Sequence, residues 1–142
     1  MGPCFVDTNV LYYAVAGGTD PRAVTAKKLV RKLFDEQLFR TSTQVLQELF
    51  VNLMKKTRPA LTSDAAIRSV DAFADWPVVS PGFNDIRDAM RLSDSAQISY
   101  WDALIVITAR LAGCATLYTE DLNHGQTIHG VLIINPFKTT IH

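Results

Sequence analysis

The sequence predicts an α/β protein: a central, mainly parallel sheet of about five strands covered by helices. Three observations predict it. Short apolar runs alternate with stretches of helical period along the whole chain, the pattern of strand–helix–strand units. One stretch, residues 100–112, is apolar nearly all round, as a helix buried at the centre would be. No repeat, low-complexity tract or linker interrupts the 142 residues, so one domain over 1–142 is expected, long enough to bury a sizeable core.

Cys4-Phe5-Val6 is the first strand. Asp7-Thr8-Asn9 follows at once, and Val10, Leu11, Ala14 and Val15 then recur at helical spacing. Asp7 therefore stands at the carboxyl end of a strand and the mouth of a helix, the edge where open α/β sheets bind ligands. Ala16-Gly17-Gly18-Thr19 is a loop. Asp20-Pro21 opens a second helix, with Ala23, Ala26, Leu29, Val30, Leu33 and Phe34 inward and an end near Glu36. Residues 38–41 form a second strand. Thr41 or Ser42 caps a third helix, Thr41-x-x-Gln44 fitting a capping box. Val45, Leu46, Leu49, Phe50, Leu53 and Met54 make its apolar stripe and leave Glu48 on the polar face beside Gln44 and Asn52.

Arg58-Pro59 breaks that helix. Thr62 or Ser63 starts a fourth, with Ala66, Ile67, Val70 and Phe73 inward, closed by Trp76-Pro77. Val78-Val79 is a third strand. Pro81-Gly82 turns into a helix carrying Ile86, Ala89, Met90 and Leu92 to about Ile98. Ser99 caps the buried helix, and Gly113 follows its end. Thr116-Leu117-Tyr118 is a fourth strand and residues 131–134 a fifth.

Fourteen basic residues balance fourteen acidic ones, so no broad polyanion-binding surface is implied. Cys4 and Cys114 lie in or beside apolar segments and read as small buried hydrophobes of a reducing compartment. No basic stretch followed by an apolar core opens the chain, and the most apolar run, 103–112, is too short to span a membrane. A cytoplasmic protein is expected.

Four acids stand out by position. Asp7 follows the first strand, Glu48 lies one turn into the third helix, Asp102 sits in the first turn of the buried helix, and Asp121 follows the fourth strand. Each has a simpler account: Asp7 as an N-cap, Asp102 in the capping box Ser99-x-x-Asp102, Glu48 as a solvated side chain, Asp121 as a turn former. Asp7 can also cap with one oxygen and face a metal with the other. Strand ends and helix starts share one edge of a parallel sheet, so Asp7, Asp102 and Asp121 can converge there; Glu48 joins if its helix turns its polar face to the same cleft. Two carboxylates about 6 Å apart at an effective dielectric near 20 repel by roughly 3 kcal/mol, so such a cluster calls for a counterion. Hard oxygen ligands select Mg²⁺ or Mn²⁺ over zinc. His124, His129 and His142 have no zinc spacing with the cysteines and read as surface or loop residues, with His124 alone near the site. Gly-x-Ser-x-Gly, Gly-Lys-Ser/Thr and Gly-x-Gly-x-x-Gly are all absent. Carboxylates with a divalent ion and no phosphate loop point to attack of metal-activated water on a phosphodiester.

Four segments carry a family resemblance: Phe5-Val6-Asp7-Thr8-Asn9-Val10-Leu11, Gln47-Glu48-Leu49, Ser99-Tyr100-Trp101-Asp102-Ala103-Leu104-Ile105 and Tyr118-Thr119-Glu120-Asp121-Leu122. In order and spacing they resemble the signature segments of PIN-domain ribonucleases, above all VapC-type toxins of bacterial toxin–antitoxin pairs. The resemblance implies a three-layer α/β/α fold and endonucleolytic cleavage of RNA dependent on Mg²⁺ or Mn²⁺. It carries the metal-site roles onto Asp7, Glu48, Asp102 and Asp121, with Asp7 and Asp102 the most direct ligands. Glu48 completes the set or orients the water, and Asp121 holds a second metal or acts through water. Thr8 and Asn9 fit the motif, Asn9 as a turn former, and Thr119 supports the Asp7 carboxylate. Asp121 is preferred to Glu120 because it occupies the motif position. A homodimer and a cognate antitoxin are further implied. Lys27, Lys28, Arg31 and Lys32, or Lys55-Lys56-x-Arg58, can meet RNA phosphates or be solvated helix faces. Competing readings are an RNA-processing PIN nuclease without antitoxin, a non-catalytic RNA- or protein-binding module, and a Mg²⁺ phosphatase. The last lacks a clear Lys beside the acids.

Overall fold

In the computed structural model of the protein the described residues are 1–138, and His142 lies outside them. In chain order the elements are β1 (Cys4–Val6), α1 (Thr8–Ala16), α2 (Pro21–Asp35), β2 (Phe39–Ser42), α3 (Thr43–Lys56) and α4 (Ser63–Ala74). There follow β3 (Val78–Val79), α5 (Phe83–Ala96), α6 (Tyr100–Leu111), β4 (Thr116–Tyr118), β5 (Thr127–Ile128), β6 (Val131–Ile134) and a 3-10 turn, Pro136–Lys138.

The strands form one sheet in the order β3-β2-β1-β4-β6-β5, parallel throughout except for β5 against β6. From β1 the chain steps through β2 to β3 on one side, then crosses back through α5 and α6 to β4 on the other. Right-handed crossovers place α1 to α4 on one face and α5 and α6 on the opposite face, giving the three-layer α/β/α fold. The contacts agree: α1 packs on α2 and α3, α3 on α4, and α5 on α6. Phe5, Val6, Phe39 and Leu117 of the central strands are fully buried between the layers. Phe34 stacks on Trp76 at 4.6 Å and meets Phe39 edge-on at 5.0 Å, closing one end of the core. Gly17 lets α1 approach α2, since a Cβ there would lie 2.5 Å from the Ala23 Cβ. Cys4, in β1, and Cys114, just before β4, are buried free thiols. Burial pushes the Cys4 thiol up and the Cys114 thiol to about 12.

The structure corrects the sequence reading in several places. The described residues form six strands, because residues 127–128 pair with β6 across a tight turn in which His129 and Gly130 both take positive φ (50° and 79°). That is the backbone of a two-residue hairpin turn, and a histidine in place of the usual Asn or Asp conceals it. Ser42, not Thr41, caps α3: its Oγ accepts from the Val45 N–H at 3.2 Å. Thr41 stays in β2 opposite Val78, its hydroxyl buried without a hydrogen-bond partner. Ile67 and Met90 face outward, each about 100° round its helix from a buried alanine, Ala66 or Ala89.

Candidate active site in an acid-lined cleft

Strand order reverses between β1 and β4, so their carboxyl ends open a crevice at the switch point. Val6 pairs with Tyr118, which makes Asp7 and Thr119 emerge side by side. Asp7 is the N-cap of α1. Its Oδ1 accepts from the Thr8 N–H at 2.7 Å, and its Oδ2 accepts from the Thr119 hydroxyl at 2.9 Å. Both oxygens are therefore engaged, although a carboxylate has lone pairs for further ligands. The residue is only 5% exposed. Burial raises its pKa from 3.8 to about 7; the two hydrogen bonds oppose that rise, and the charges of Asp121 and Glu48 add to it.

The polar face of α3 turns into the same crevice. Gln44, Glu48, Asn52 and Lys56, spaced four apart, all line it. Glu48 Oε2 accepts from the Thr8 hydroxyl at 2.9 Å and Oε1 from Gln44 Nε2 at 3.1 Å. Gln44 Oε1 is buried with no hydrogen-bond partner among the described residues. From the opposite layer, Asp102 enters on the first turn of α6. Ser99 Oγ accepts from the Asp102 N–H at 3.1 Å, so Ser99 caps α6 while the Asp102 side chain lines the cleft. Burial raises its pKa, the Ser99 bond lowers it, and Asp121 and Glu48 raise it again.

Asn9 ties the loop after β4 into the site. Its Nδ2 donates to Asp121 Oδ2 at 3.1 Å and to Thr119 Oγ1 at 3.3 Å, while its Oδ1 accepts from the Glu120 N–H at 3.3 Å. Thr119 Oγ1 also accepts from the Asp121 N–H at 3.1 Å. Glu120 leans the other way: the Tyr13 hydroxyl donates to it at 3.3 Å, and the Arg22 guanidinium lies 3.5 Å off. Arg22 in turn covers the Tyr13 ring at 4.3 Å.

The cleft measures about 470 Å³ and is lined by Asp7, Glu48, Asp102, Glu120 and Asp121. Among the described residues no three His, Cys, Asp or Glu side chains gather tightly enough to hold a metal ion by themselves. The donor set is nevertheless all oxygen, with the unpartnered Gln44 Oε1 beside it. It suits a hard divalent ion that keeps several of its waters, the habit of Mg²⁺. His124 does not line the cleft; its Nδ1 accepts from the Asn135 N–H at 3.0 Å. The sequence reading passes over Tyr12, Tyr13, Trp101 and Ile105, which line the cleft too, Trp101 next to Asp102. Lys56, read there only as part of a basic run able to meet RNA phosphates, continues the four-residue spacing of Gln44 and Glu48 into the cleft.

Comparison with known proteins brings in the family. A toxin–antitoxin complex from Klebsiella pneumoniae superposes with a TM-score of 0.68 at 18% identity, covering 94% of this chain and 97% of that one. VapC20 of Mycobacterium tuberculosis, described as a sarcin-ricin loop cleaving toxin, gives 0.59 at 22% identity, covering 83% and 89%. VapBC2 from Rickettsia felis, bound to a DNA fragment from its promoter, gives 0.65 at 17% identity, covering 92% and 96%. These likenesses are of fold. No curated protein matches. The PIN domain family model matches residues 4–127, and with the signature acids lining one cleft the chain belongs to the PIN-domain family.

Proposed function

We propose that this protein is a metal-dependent endoribonuclease, hydrolysing RNA phosphodiester bonds as the VapC-type toxin of a toxin–antitoxin pair. One observation carries the catalytic reading: Asp7, Glu48, Asp102 and Asp121, from four separate segments, line a single cleft at the sheet's switch point. Asp7 and Asp102 would hold Mg²⁺ or Mn²⁺ most directly. Glu48 would complete the set or orient the attacking water, and Asp121 would hold a second ion or act through water. When bound, such an ion lowers the pKa of its water and neutralises charge developing on the phosphate. The chain's own part is orientation. Thr119 and the Thr8 N–H fix the Asp7 carboxylate, Thr8 and Gln44 fix Glu48, and Asn9 holds Asp121. Carboxylates locked by neighbours need little rearrangement when substrate arrives.

The toxin reading rests on likeness to the Klebsiella complex, VapBC2 and VapC20. On that likeness a cognate antitoxin is the protein partner; a homodimer as the working unit is what the family resemblance of the sequence implies. A basic antitoxin side chain among the acids would be electrostatically sensible. No helix among the described residues is long and apolar enough to cross a membrane.

Purified protein should cleave structured RNA with Mg²⁺ or Mn²⁺ and stop in EDTA. Asp7→Asn should lose at least a hundredfold in rate while keeping the native circular dichroism spectrum. A variant that cuts as fast as the native chain defeats the site assignment. Induced expression should arrest growth, and co-expression of a small protein encoded beside the gene should restore it. Unimpeded growth on induction counts against toxicity and leaves RNA processing as the role.

A further inference from the structure

We propose that Trp101 is the base-stacking platform of the cleft, seating one unpaired nucleobase beside the carboxylates while Lys56 on the other wall takes a backbone phosphate. The proposal rests on the nuclease reading above and adds to it a positioning residue.

Trp101 is 64% exposed, yet it lines the acid cleft rather than a separate surface. It precedes Asp102 on the first turn of α6, so its indole flanks the carboxylate at about 100° round the helix. Tyr100 meets it edge-on at 5.0 Å and braces one side of the ring. An indole left in water is a large apolar surface waiting to be covered. The wall built from α1 and α3 carries Tyr12 and Lys56, whose Nζ lies 6.0 Å from the Tyr12 ring centroid. Among the described residues Lys56 makes no ion pair.

Charge alone cannot draw RNA into this cleft. The chain has zero formal net charge, and the cleft holds five acids against a single lysine. Stacking on an aromatic ring needs no net charge and tolerates any base. It does require that the base's own face be free, which a duplex denies and a loop, bulge or strand end provides. Trp101 would therefore select unpaired nucleotides at the point of cleavage, with Lys56 supplying one local phosphate contact.

Fluorescence tests this directly. The only other tryptophan, Trp76, is stacked on Phe34 at 4.6 Å and serves as a constant background. In EDTA, an eight-nucleotide mixed-sequence single-stranded RNA should quench the native chain, and a blunt duplex of the same sequence should do so at least tenfold more weakly. Trp101→Ala should weaken single-strand binding roughly ten- to a hundredfold, with Trp101→Phe within a few-fold of native. With metal, Trp101→Ala should raise KM and leave kcat within about threefold, whereas Asp7→Asn should lose kcat and keep the quench. Equal quenching by duplex, or unchanged affinity in Trp101→Ala, overturns the proposal. So does an alanine variant that binds RNA normally but fails to associate with its antitoxin, which makes Trp101 a protein-docking residue. If the native chain cleaves no RNA with any divalent ion, the nuclease reading fails, and the quench still decides the platform.

Discussion

Asp7 is buried where a charge is costly. In metal-free protein its carboxyl titrates near 7, against 3.8 for an ordinary aspartate. Between those values the folded state keeps a proton that the unfolded chain has released. Its contribution to stability is full below the unfolded pKa and is lost as pH rises through 7. Asp7→Asn is neutral at every pH and escapes the loss, at the cost of one hydrogen bond, because Thr119 Oγ1 already accepts from Asn9 and Asp121. In EDTA the variant should therefore gain roughly 2–4 kcal/mol on the native chain between pH 4 and pH 8. Urea unfolding at the two pH values measures it; a difference that is the same at both refutes the buried-charge account. The sequence let Asp7 cap with one oxygen and face a metal with the other; the structure uses Oδ1 as the cap, gives Oδ2 a hydrogen bond from Thr119, and leaves the residue at the cleft. Asn9 was legible as a supporting motif residue that shapes a turn, but not as the tie to the loop after β4, because its partners Thr119, Glu120 and Asp121 lie more than a hundred residues away in sequence.

Helix α3 links core and cleft. One face buries Val45, Leu49 and Leu53, and the other presents Gln44, Glu48, Asn52 and Lys56. Leu49→Ala should cost about 2–5 kcal/mol in urea unfolding. Ser42→Ala should cost about 1 kcal/mol through the lost cap. Thr41→Val should be neutral or stabilising, because the hydroxyl it removes is buried without a partner; a loss as large as that of Ser42→Ala would return the capping role to Thr41. The helices were legible because their periodicity comes from the same burial that holds them. The strand at 127–128 was not, since two residues have no period and the turn beside them hides its left-handed backbone behind a histidine. Ile67 and Met90 misled for a related reason: periodicity fixes a stripe, but not which residue at its margin meets a neighbour.

At the scale of the molecule, the cleft is assembled from α1 with its cap Asp7, α3, α6 and the loop after β4, elements of both helical layers. An ion bound across them would hold the layers together. Mg²⁺ or Mn²⁺ at about a hundredfold over its dissociation constant should add about 2.7 kcal/mol to unfolding, and Asp7→Asn should lose most of that gain. Thermal melts with and without metal test it, and a melt insensitive to both ions in the native chain argues against a resident cation. That Asp7, Asp102 and Asp121 share an edge followed from the strand–helix alternation and one topological rule; that Glu48 joins them depended on how α3 is turned, which its periodicity alone does not say. Which aromatic completes it did not, because a single exposed Trp has no periodic signature, and Lys56 was one candidate in a basic run until α3 turned it into the cleft.

Cys4 and Cys114 give this architecture a built-in reporter. Each thiol is buried next to one of the strands whose end bears a cleft acid, and burial keeps both protonated and unreactive. A maleimide should reach them only when the core around β1 and β4 opens. Its labelling rate is thus a clock for opening of the sheet beneath the cleft, and an occupant of the cleft should slow that clock without touching either sulfur.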